Sequence, residues 1–408
     1  MTKYGRFPWV DRCPASRVPD YSRQRGSIRT DIAIVGGGLT GCVTAHALAA
    51  AGLKVAVVEA ERVGRGHTAA SLGLIAGDPG VSFLEAEKAI GRRAARHAFR
   101  SWRRAALDAA VLLRRLDVKC RLEARLALTV AFTPEQAAWL KREQNARRHA
   151  GLDAPLLPPR AITSEIAIDA SAAMRDAHAA ALDPYGACLG IAAAAAEGGA
   201  QIYERTPVKR IEFGRKTVDV FTSSGTIRAD RVVVPTGVPT ALFGSLARHF
   251  WFRRTYFTLT DAIPSRVRQQ LGRRSAVIRD MAQPSHLLRW LDGERLMVAG
   301  ADAPSVPDRQ RAKAVVQRTG QLMYELSTLY PAISGLPPAY GWDAAYARTA
   351  DGLPYIGPHR NFPRHLFAFG DASRTLAGAF LASRILMRHL IGDVDPADAA
   401  FAFTRHGR

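Results

Sequence analysis

The chain has 408 residues, of which 48% are hydrophobic and 23% are charged, proportions that are ordinary for a globular protein. This composition excludes a disordered or fibrous protein, and no apolar stretch approaches the roughly 20 residues that a membrane-spanning helix needs. The first 30 residues contain no apolar signal core, so we expect a cytoplasmic protein.

The four cysteines, Cys13, Cys42, Cys120 and Cys188, lie far apart and include no CxxC pair. This spacing argues against a disulfide framework and predicts no metal site. We expect buried free thiols instead.

The formal net charge is +21, and 49 of the 57 basic residues are arginines. A basic surface attracts polyanions, but the densest basic segment, 92–115, interleaves arginines with apolar residues at helical spacing. That pattern is typical of the solvent-exposed face of an amphipathic helix. We therefore expect no specific nucleic-acid partner. The alternative left open is an anionic partner or a weak peripheral association with the inner membrane face.

A βαβ unit is predicted near the start of the chain. Residues 31–35 form a short apolar run that predicts a buried strand, 39–51 a small-residue helix, and 54–58 a second buried strand. Such units cross over with a right-handed connection in nearly all cases.

The remaining elements follow from apolar periodicity. The predicted helices are 83–116 (two helices broken near Gly91), 134–150, 185–198, 308–329 and 377–390. The predicted strands are 124–131, 201–204, 208–211, 218–222, 226–229, 231–235, 257–260, 286–291, 295–299 and 366–369. Residues 208–229 indicate a small meander, the strands between 257 and 299 an antiparallel sheet, and the prolines at 155–159 a linker.

A GxGxxG pattern at 36–41 lies directly between the first strand and the first helix. In this pattern Gly36 permits a tight turn, Gly38 lets a diphosphate approach the backbone, and Gly41 lets the helix pack on the strand. Glu59 ends the second strand, where a carboxylate accepts hydrogen bonds from ribose hydroxyls. NAD and FAD share this fingerprint, so the choice between them depends on the rest of the chain.

After Glu59 comes a loop of small residues, 62–71 (RVGRGHTAAS), that is able to lie against a flat ring. Here the sequence resembles the D-amino-acid oxidase, glycine oxidase and sarcosine oxidase family of FAD-dependent oxidoreductases. The resemblance continues at 182–184 (LDP), Val208, 232–237 (VVVPTG), 349–357 (TADGLPYIG) and 366–371 (LFAFGD).

The resemblance implies an FAD site. Its cofactor-binding residues would be Gly36, Gly38, Leu39, Thr40, Gly41, Glu59, Ala60, Arg65, Gly66, Thr68, Ala69, Ser71, Val208, Thr236, Gly237, Gly370, Asp371 and Gly378. The GxGxxG and Glu59 would bind the ADP portion, Val208 the adenine, residues 68–71 the flavin, and Asp371 with the last helix the ribitol and the flavin's pyrimidine edge.

Two departures from the family pattern stand out. Many members have a glycine-dense turn where this chain has residues 370–378, so this loop is expected to have a different shape. Some members attach the flavin through a cysteine shortly before the Thr-x-Asp block, and 340–351 contain none. We therefore predict non-covalent FAD.

The resemblance implies an α/β fold, with a Rossmann-like FAD/NAD(P)-binding domain and an α+β second domain built on an antiparallel sheet. The predicted FAD-binding domain is discontinuous and comprises 1–82, 155–240 and 345–408. Residues 83–154 and 241–344 would form the substrate domain.

The implied reaction is oxidation of a C–N bond in an amino acid or small amine, with hydride transfer to flavin N5 and electrons passing to O2, a quinone or another carrier. A carboxylate substrate needs a fixed cation, and an arginine suits this better than a lysine. Arg289 is the first candidate, Arg374 the second, and His286 could contact substrate. Tyr256 and Tyr346 could help line the pocket, although core packing is the simpler and favoured explanation for both.

Two alternatives stay open at this point. One is a membrane-surface, quinone-linked dehydrogenase of the same fold. The other is a flavin-binding module without turnover, for which the altered turn at 372–377 is the best support.

Overall fold

The computed structural model describes residues 1–370 and 376–406. Its strands, in chain order, are β1 (Lys3–Tyr4), β2 (Gly26–Val35), β3 (Val55–Val58), β4 (Leu74–Ile75), β5 (Glu123–Ala131), β6 (Leu156–Leu157), β7 (Ala172–Ala181), β8 (Gln201–Tyr203), β9 (Val208–Phe213), β10 (Val218–Thr222), β11 (Gly225–Gly237), β12 (Trp251–Thr260), β13 (Ala276–Asp280), β14 (Leu287–Leu291), β15 (Arg295–Pro304), β16 (Pro338–Arg348), β17 (Tyr355–His359) and β18 (Phe362–Phe369).

The α-helices among these residues are α1 (Pro8–Arg12), α2 (Leu39–Ala50), α3 (His67–Ala70), α4 (Phe83–Ile90), α5 (Arg92–Arg115), α6 (Pro134–His149), α7 (Pro159–Ile166), α8 (Pro184–Glu197), α9 (Ser265–Arg268), α10 (Asp308–Leu329) and α11 (Ala377–Ile391). Within the described part of the chain, no helix combines the length and the hydropathy needed to cross a bilayer.

The first sheet has eight strands in the order β17-β18-β11-β2-β3-β8, with β10 paired to β11 and β9 paired to β10. The strands from β18 to β8 run parallel, and β17 runs antiparallel to β18. The predicted βαβ unit is confirmed, because β2 and β3 are parallel neighbours joined by α2. Helices α2, α8 and α11 pack on one face, and the opposite face packs against apolar residues of the meander.

The predicted strands 226–229 and 231–235 are one strand, β11, so that expectation was wrong in this detail. The first half of β11 pairs with both β10 and β2, and its second half pairs with β2 and β18. Pairing with β2 just before and after Asp230, at Ala229 with Thr30 and at Arg231 with Ile32, keeps the backbone extended where the sequence pattern predicted a break.

The second sheet has ten strands in the order β1-β16-β12-β15-β14-β13-β5-β7-β4, with β6 paired to β7. It is antiparallel except for the parallel pairs β1–β16 and β13–β5. One face packs toward the helices of the first sheet, and the other packs on α10 and α7.

The predicted linker near 155–159 was wrong, because short strand β6 and helix α7 occupy it. Pro159 stands at the first helical position, where its missing N–H costs nothing. Ile162 and Ile166, four residues apart, are buried on the face toward the second sheet. Sequence reasoning also missed β7, because its alanine-rich run shows neither strand propensity nor alternation.

The domain boundaries stay a prediction, and sheet membership bears on them. Strands β6 and β7 lie within the predicted FAD-binding segment 155–240, yet both belong to the ten-stranded sheet. Strands β1 and β4, within the predicted FAD-binding segment 1–82, also belong to the ten-stranded sheet. Because β7 ends at Ala181, the chain passes from the ten-stranded sheet to the eight-stranded sheet after that residue rather than at 155.

The four cysteines are free thiols; Cys42, Cys120 and Cys188 are buried, and Cys13 is half-buried. The expectation of buried free thiols is therefore confirmed for three of them.

His286 lies between two carboxylates and joins the turn before β14 to α10. Its Nδ1 is 2.6 Å from Asp280 Oδ2 and its Nε2 is 2.9 Å from Glu325 Oε2. Burial opposes protonation, but the hydrogen bonds and charges of Asp280 and Glu325 outweigh it, so the pKa of His286 is raised above its usual value. The imidazolium therefore stabilises the folded state.

This ion cluster predicts a pH-dependent stability. A raised folded-state pKa means that the contribution of His286 is complete below its unfolded pKa of about 6.5 and is lost as pH rises through the folded pKa. The Tm difference between wild type and His286→Gln should therefore be largest in mildly acidic buffer and shrink at alkaline pH. A Tm difference that does not change with pH would contradict this.

Candidate cofactor and active site

A cavity of about 210 Å³ lies at the carboxyl ends of β2, β3 and β11. This is where the order of the parallel sheet reverses, since β3 lies on one side of β2 and β11 on the other. Crevices at such switch points are the usual ligand sites of open α/β sheets. The cavity is lined by Gly36, Gly38, Leu39, Thr40, Glu59, Gly64, Gly66, His67, Thr68, Ser71, Pro235, Thr236, Gly237, Val238, Tyr346, Ala347, Leu376 and Ala379.

The first turn of α2 packs directly on the end of β2. A Cβ atom at Gly41 would lie 2.0 Å from the carbonyl oxygen of Gly36, so no other residue fits there without moving the backbone. Gly41 itself does not line the cavity; it sets how closely α2 approaches the strand. The N-terminus of α2 consequently faces the cavity.

Free N–H groups and a partial positive charge are available at that N-terminus. The N–H of Leu39 donates to Thr68 Oγ1 at 2.9 Å, which ties the helix start to α3. The following amides of the first turn have no carbonyl four residues earlier within the helix, and a diphosphate is the ligand that such a turn suits.

Glu59 follows β3 and lies beside the glycine turn. Its Oε2 accepts the N–H of Gly37 at 2.7 Å, and its Oε1 accepts the N–H of Glu61 at 2.9 Å. Burial raises the pKa of Glu59, and these two backbone hydrogen bonds oppose that shift. Each carboxylate oxygen keeps a second lone pair, so the group is still able to accept ribose hydroxyls.

The 70–73 segment leads from α3 to β4, and three distant side chains hold its backbone. Its first two carbonyl oxygens accept hydrogen bonds from the indole Nε1 of Trp342 and of Trp9, each at 2.9 Å. The next two accept from Arg289 Nη1, at 2.7 and 2.8 Å. Four consecutive carbonyls are thus fixed by residues of β16, α1 and β14.

Arg289 is buried, with 5% of its surface exposed, so it is neither an exposed strand arginine nor a cation facing open solvent. Its Nη1 also donates to the carbonyl of Leu182 at 3.0 Å, and its guanidinium lies 5.3 Å from the Trp9 ring centroid. Burial lowers the pKa of Arg289 to about 10, which leaves the group charged at neutral pH. Arg289 therefore holds the 70–73 segment from β14. It does not line the cofactor cavity but a separate cavity of about 520 Å³.

His286 lies away from the cavity. Along β14, Leu287 and Leu291 face the helices of the first sheet, whereas Leu288 and Trp290 face α10. His286 bonds to Glu325 of α10 and so belongs to that second side. The expectation that His286 contacts substrate is therefore corrected.

Ten of the residues expected to bind the cofactor line the cavity: Gly36, Gly38, Leu39, Thr40, Glu59, Gly66, Thr68, Ser71, Thr236 and Gly237. Seven do not: Gly41, Ala60, Arg65, Ala69, Val208, Gly370 and Gly378. Ala60 and Arg65 are exposed, and Ala69 and Gly378 are buried within helices. Val208 begins β9 in the meander, and Gly370 donates its N–H to the carbonyl of Gly237 at 2.9 Å. Asp371 and Arg374 lie outside the described residues.

Two aromatic rings border the cavity. The His67 ring centroid lies 5.4 Å from that of Tyr346, and His67 Nε2 contacts the carbonyl of Ala345. Tyr346 lines this cavity, and its role in a substrate pocket stays a prediction, whereas Tyr256 packs on the α10 side of the sheet. The sequence analysis assigned no role to His67, Trp9 or Trp342. Only the position of His67 directly before Thr68 could have indicated that it lies at the cavity.

A family model described as "FAD dependent oxidoreductase" (DAO) matches residues 31–388. The chain belongs to the DAO family of FAD-dependent oxidoreductases. FAD is accordingly its cofactor, and the residues present suit it: a helix N-terminus for the diphosphate, a carboxylate for the ribose, and a small-residue loop with Val238, Leu376 and Ala379 as apolar wall.

Curated relatives cover nearly the whole chain. Gamma-glutamylputrescine oxidoreductase of Escherichia coli (strain K12) is 24% identical over 392 residues, which are 94% of this chain and 89% of the relative. Glycine oxidase of Geobacillus kaustophilus (strain HTA426) is 26% identical over 394 residues, 93% of this chain and 97% of the relative.

The fold is shared with solved structures. Glycine oxidase from Geobacillus kaustophilus matches with a TM-score of 0.76 and 22% identity, covering 93% of this chain and 99% of that one. L-proline dehydrogenase from P. horikoshii matches with a TM-score of 0.73 and 17% identity, covering 93% and 98%.

The contacts of Arg289 predict the phenotype of Arg289→Met. Methionine is of similar length but has no donor, so the carbonyls of Leu72 and Leu182 lose the hydrogen bond from Arg289 at about 1–3 kcal/mol each. The carbonyl of Gly73 keeps the N–H of Leu182 as a donor. We expect the free energy of unfolding to fall by roughly 3 kcal/mol or more and FAD to dissociate more readily, measured by urea unfolding and flavin fluorescence. Arg295→Met, which removes a partly exposed arginine paired with Asp261, is the matched control. Equal stability of the two variants would contradict the role of Arg289.

Proposed function

We propose that the protein oxidises a C–N bond of an amino acid or small amine. The proposal is supported by its family and by relatives named for such compounds, glycine oxidase and gamma-glutamylputrescine oxidoreductase. Bound FAD supplies at N5 the acceptor for the hydride that leaves the carbon beside a neutral amine, and the resulting imine hydrolyses in water. Dioxygen, a quinone or another carrier then takes the electrons.

The observation that carries the proposal is the composition of the cavity wall. The GxGxxG turn and Glu59 line one side, and Tyr346 and Ala347 of β16 line another. The ten-stranded sheet thus borders the cofactor cavity directly, and a substrate held against that sheet would lie near the cofactor. Orientation of this kind converts binding energy into rate.

The residues around this wall would act by positioning. Trp9, Trp342 and Arg289 hold the 70–73 segment, so the loop keeps one shape while substrate and cofactor exchange. A rigid loop reduces the entropy that is lost when the reacting groups are oriented for reaction.

A carboxylate substrate still needs a cation, and Arg289 has its Nη1 committed to three carbonyls. We therefore propose Arg374, the second candidate from the sequence, as the carboxylate anchor. An arginine presents a planar fork that matches a carboxylate with two hydrogen bonds.

An anaerobic screen of amino acids and their decarboxylated amines tests both proposals. Loss of the yellow flavin absorbance on mixing identifies the substrate. Arg374→Ala should then raise KM for an amino acid by roughly 10-fold or more, because a hydrogen bond to a charged group contributes about 1.5–3 kcal/mol. The corresponding amine should be affected much less.

The outcomes separate the two proposals. If no amine or amino acid bleaches the flavin, the C–N oxidation is wrong and a flavin-binding module without turnover is favoured. If Arg374→Ala affects amino acids and amines equally, Arg374 is not the anchor. If Arg289→Met instead shows the selective loss for amino acids, the anchor is Arg289.

A further inference from the structure

Two large aromatic side chains project into solvent at the start of β12. Trp251 is 60% exposed and Phe252 is 37% exposed. Four of the other five tryptophans, Trp9, Trp102, Trp290 and Trp342, are at most 3% exposed. An exposed tryptophan with an exposed phenylalanine beside it is unusual for a surface that faces water alone.

A cationic pocket lies beside these aromatic residues in the chain. It has a volume of about 340 Å³ and is lined by Arg248, His249, Pro358, His359, Arg360, Phe403 and Thr404. None of these described lining residues is acidic. The size and the charge suit one anionic headgroup.

Three arginines supply exposed positive charge on this surface. Arg248, Arg253 and Arg360 are exposed, and none of them has an ion-pair partner in the described part of the chain. Burial lowers the pKa of His359, and the positive charges of His249, Arg248 and Arg360 lower it further. By contrast, Arg104 on α5 pairs with Asp108.

The same surface adjoins the cofactor cavity. In the β12–β16 pairing, Arg253 lies opposite Tyr346 and Phe252 lies opposite Ala347. Tyr346 and Ala347 both line the cavity. A partner bound at this surface would therefore sit next to the cofactor site.

We propose that Arg248, Trp251, Phe252, Arg253 and Arg360, called here the docking surface, bind a bilayer that contains anionic phospholipid. The arginines bind lipid phosphates, with the cationic pocket taking one headgroup, and the two aromatic rings enter the interfacial layer. Tryptophan favours that layer because its ring is apolar with a polar edge. Each basic residue near such a membrane strengthens binding to it.

The arrangement favours a membrane over a nucleic acid. Binding of single strands uses a positively charged groove that follows many phosphates. Here the charge is compact and centred on a single pocket, and the exposed Trp251 and Phe252 follow its lining residues Arg248 and His249 closely in the chain. The inference does not depend on the proposed substrate, and it would bring the cofactor to an electron acceptor dissolved in the membrane.

Vesicle binding by the FAD-loaded protein tests the proposal. The protein should co-sediment with vesicles of phosphatidylglycerol and phosphatidylcholine, but not with phosphatidylcholine alone, and 0.5 M salt should weaken the binding. Arg248→Glu/Arg253→Glu should lower the affinity more than about 10-fold. Arg93→Glu/Arg100→Glu, which makes the same change in charge on exposed residues of α5, should have a much smaller effect.

Tryptophan fluorescence locates the contact. Brominated lipids should quench the emission of the wild type, and Trp251→Phe should remove most of that quenching. Tyr324→Ala, a loss of a 73% exposed ring on α10, is the control and should bind vesicles like the wild type. Flavin content shows that each variant is folded, and flavin bleaching by an amine separates this test from that of the proposed function.

Four results would overturn the proposal: no binding to anionic vesicles, equal losses in the two charge-reversal variants, a dimer in solution that Trp251→Ala dissociates, or RNA that binds the same residues more tightly than vesicles do.

Discussion

The contact between Gly41 and the carbonyl of Gly36 sets the geometry on which the cofactor site depends. Because no side chain fits between them, α2 starts immediately at the end of β2 and directs its first amides into the cavity. Glu59 can then bond to the same turn from the next strand, and Thr68 can bond to the first helical N–H. The positions expected for the diphosphate and the ribose, and the position of the loop, thus all follow from one close approach of backbone to backbone.

The second sheet supplies the side chains that hold the loop beside the cavity and part of the cavity wall. It supplies Trp342 and Arg289 to the carbonyls of the 70–73 segment, and Tyr346 to the cavity wall. A buried guanidinium is costly unless its hydrogen bonds are made, and Arg289 makes them to main-chain carbonyls. The loop beside the cavity is consequently anchored to both halves of the molecule, and Trp251, Phe252 and Arg253 of the docking surface lie on β12, the strand paired with β16 of that wall.

Sequence reasoning predicted the local parts of this site and missed the distant ones. The glycine spacing and Glu59 are set within one βαβ unit, so their positions follow from a 25-residue window. Arg289 was predicted to anchor substrate, and its hydrogen bonds to main-chain carbonyls were not foreseen. Those bonds depend on a fold that brings β14 to the carbonyls of residues more than 200 positions earlier. Trp9 and Trp342 were missed for the same reason. The alanines of β7 gave no signal at all, since only pairing with β5 makes them a strand.

Equilibrium binding of FAD to the flavin-free protein tests the central claim most directly. The wild type should bind FAD and turn yellow, Glu59→Gln should bind it roughly 10-fold or more weakly, because a hydrogen bond to a charged group contributes about 1.5–3 kcal/mol, and the neighbouring exposed change Glu61→Gln should have little effect. Protein that stays colourless with FAD, or equal affinities for the wild type and Glu59→Gln, would contradict the account.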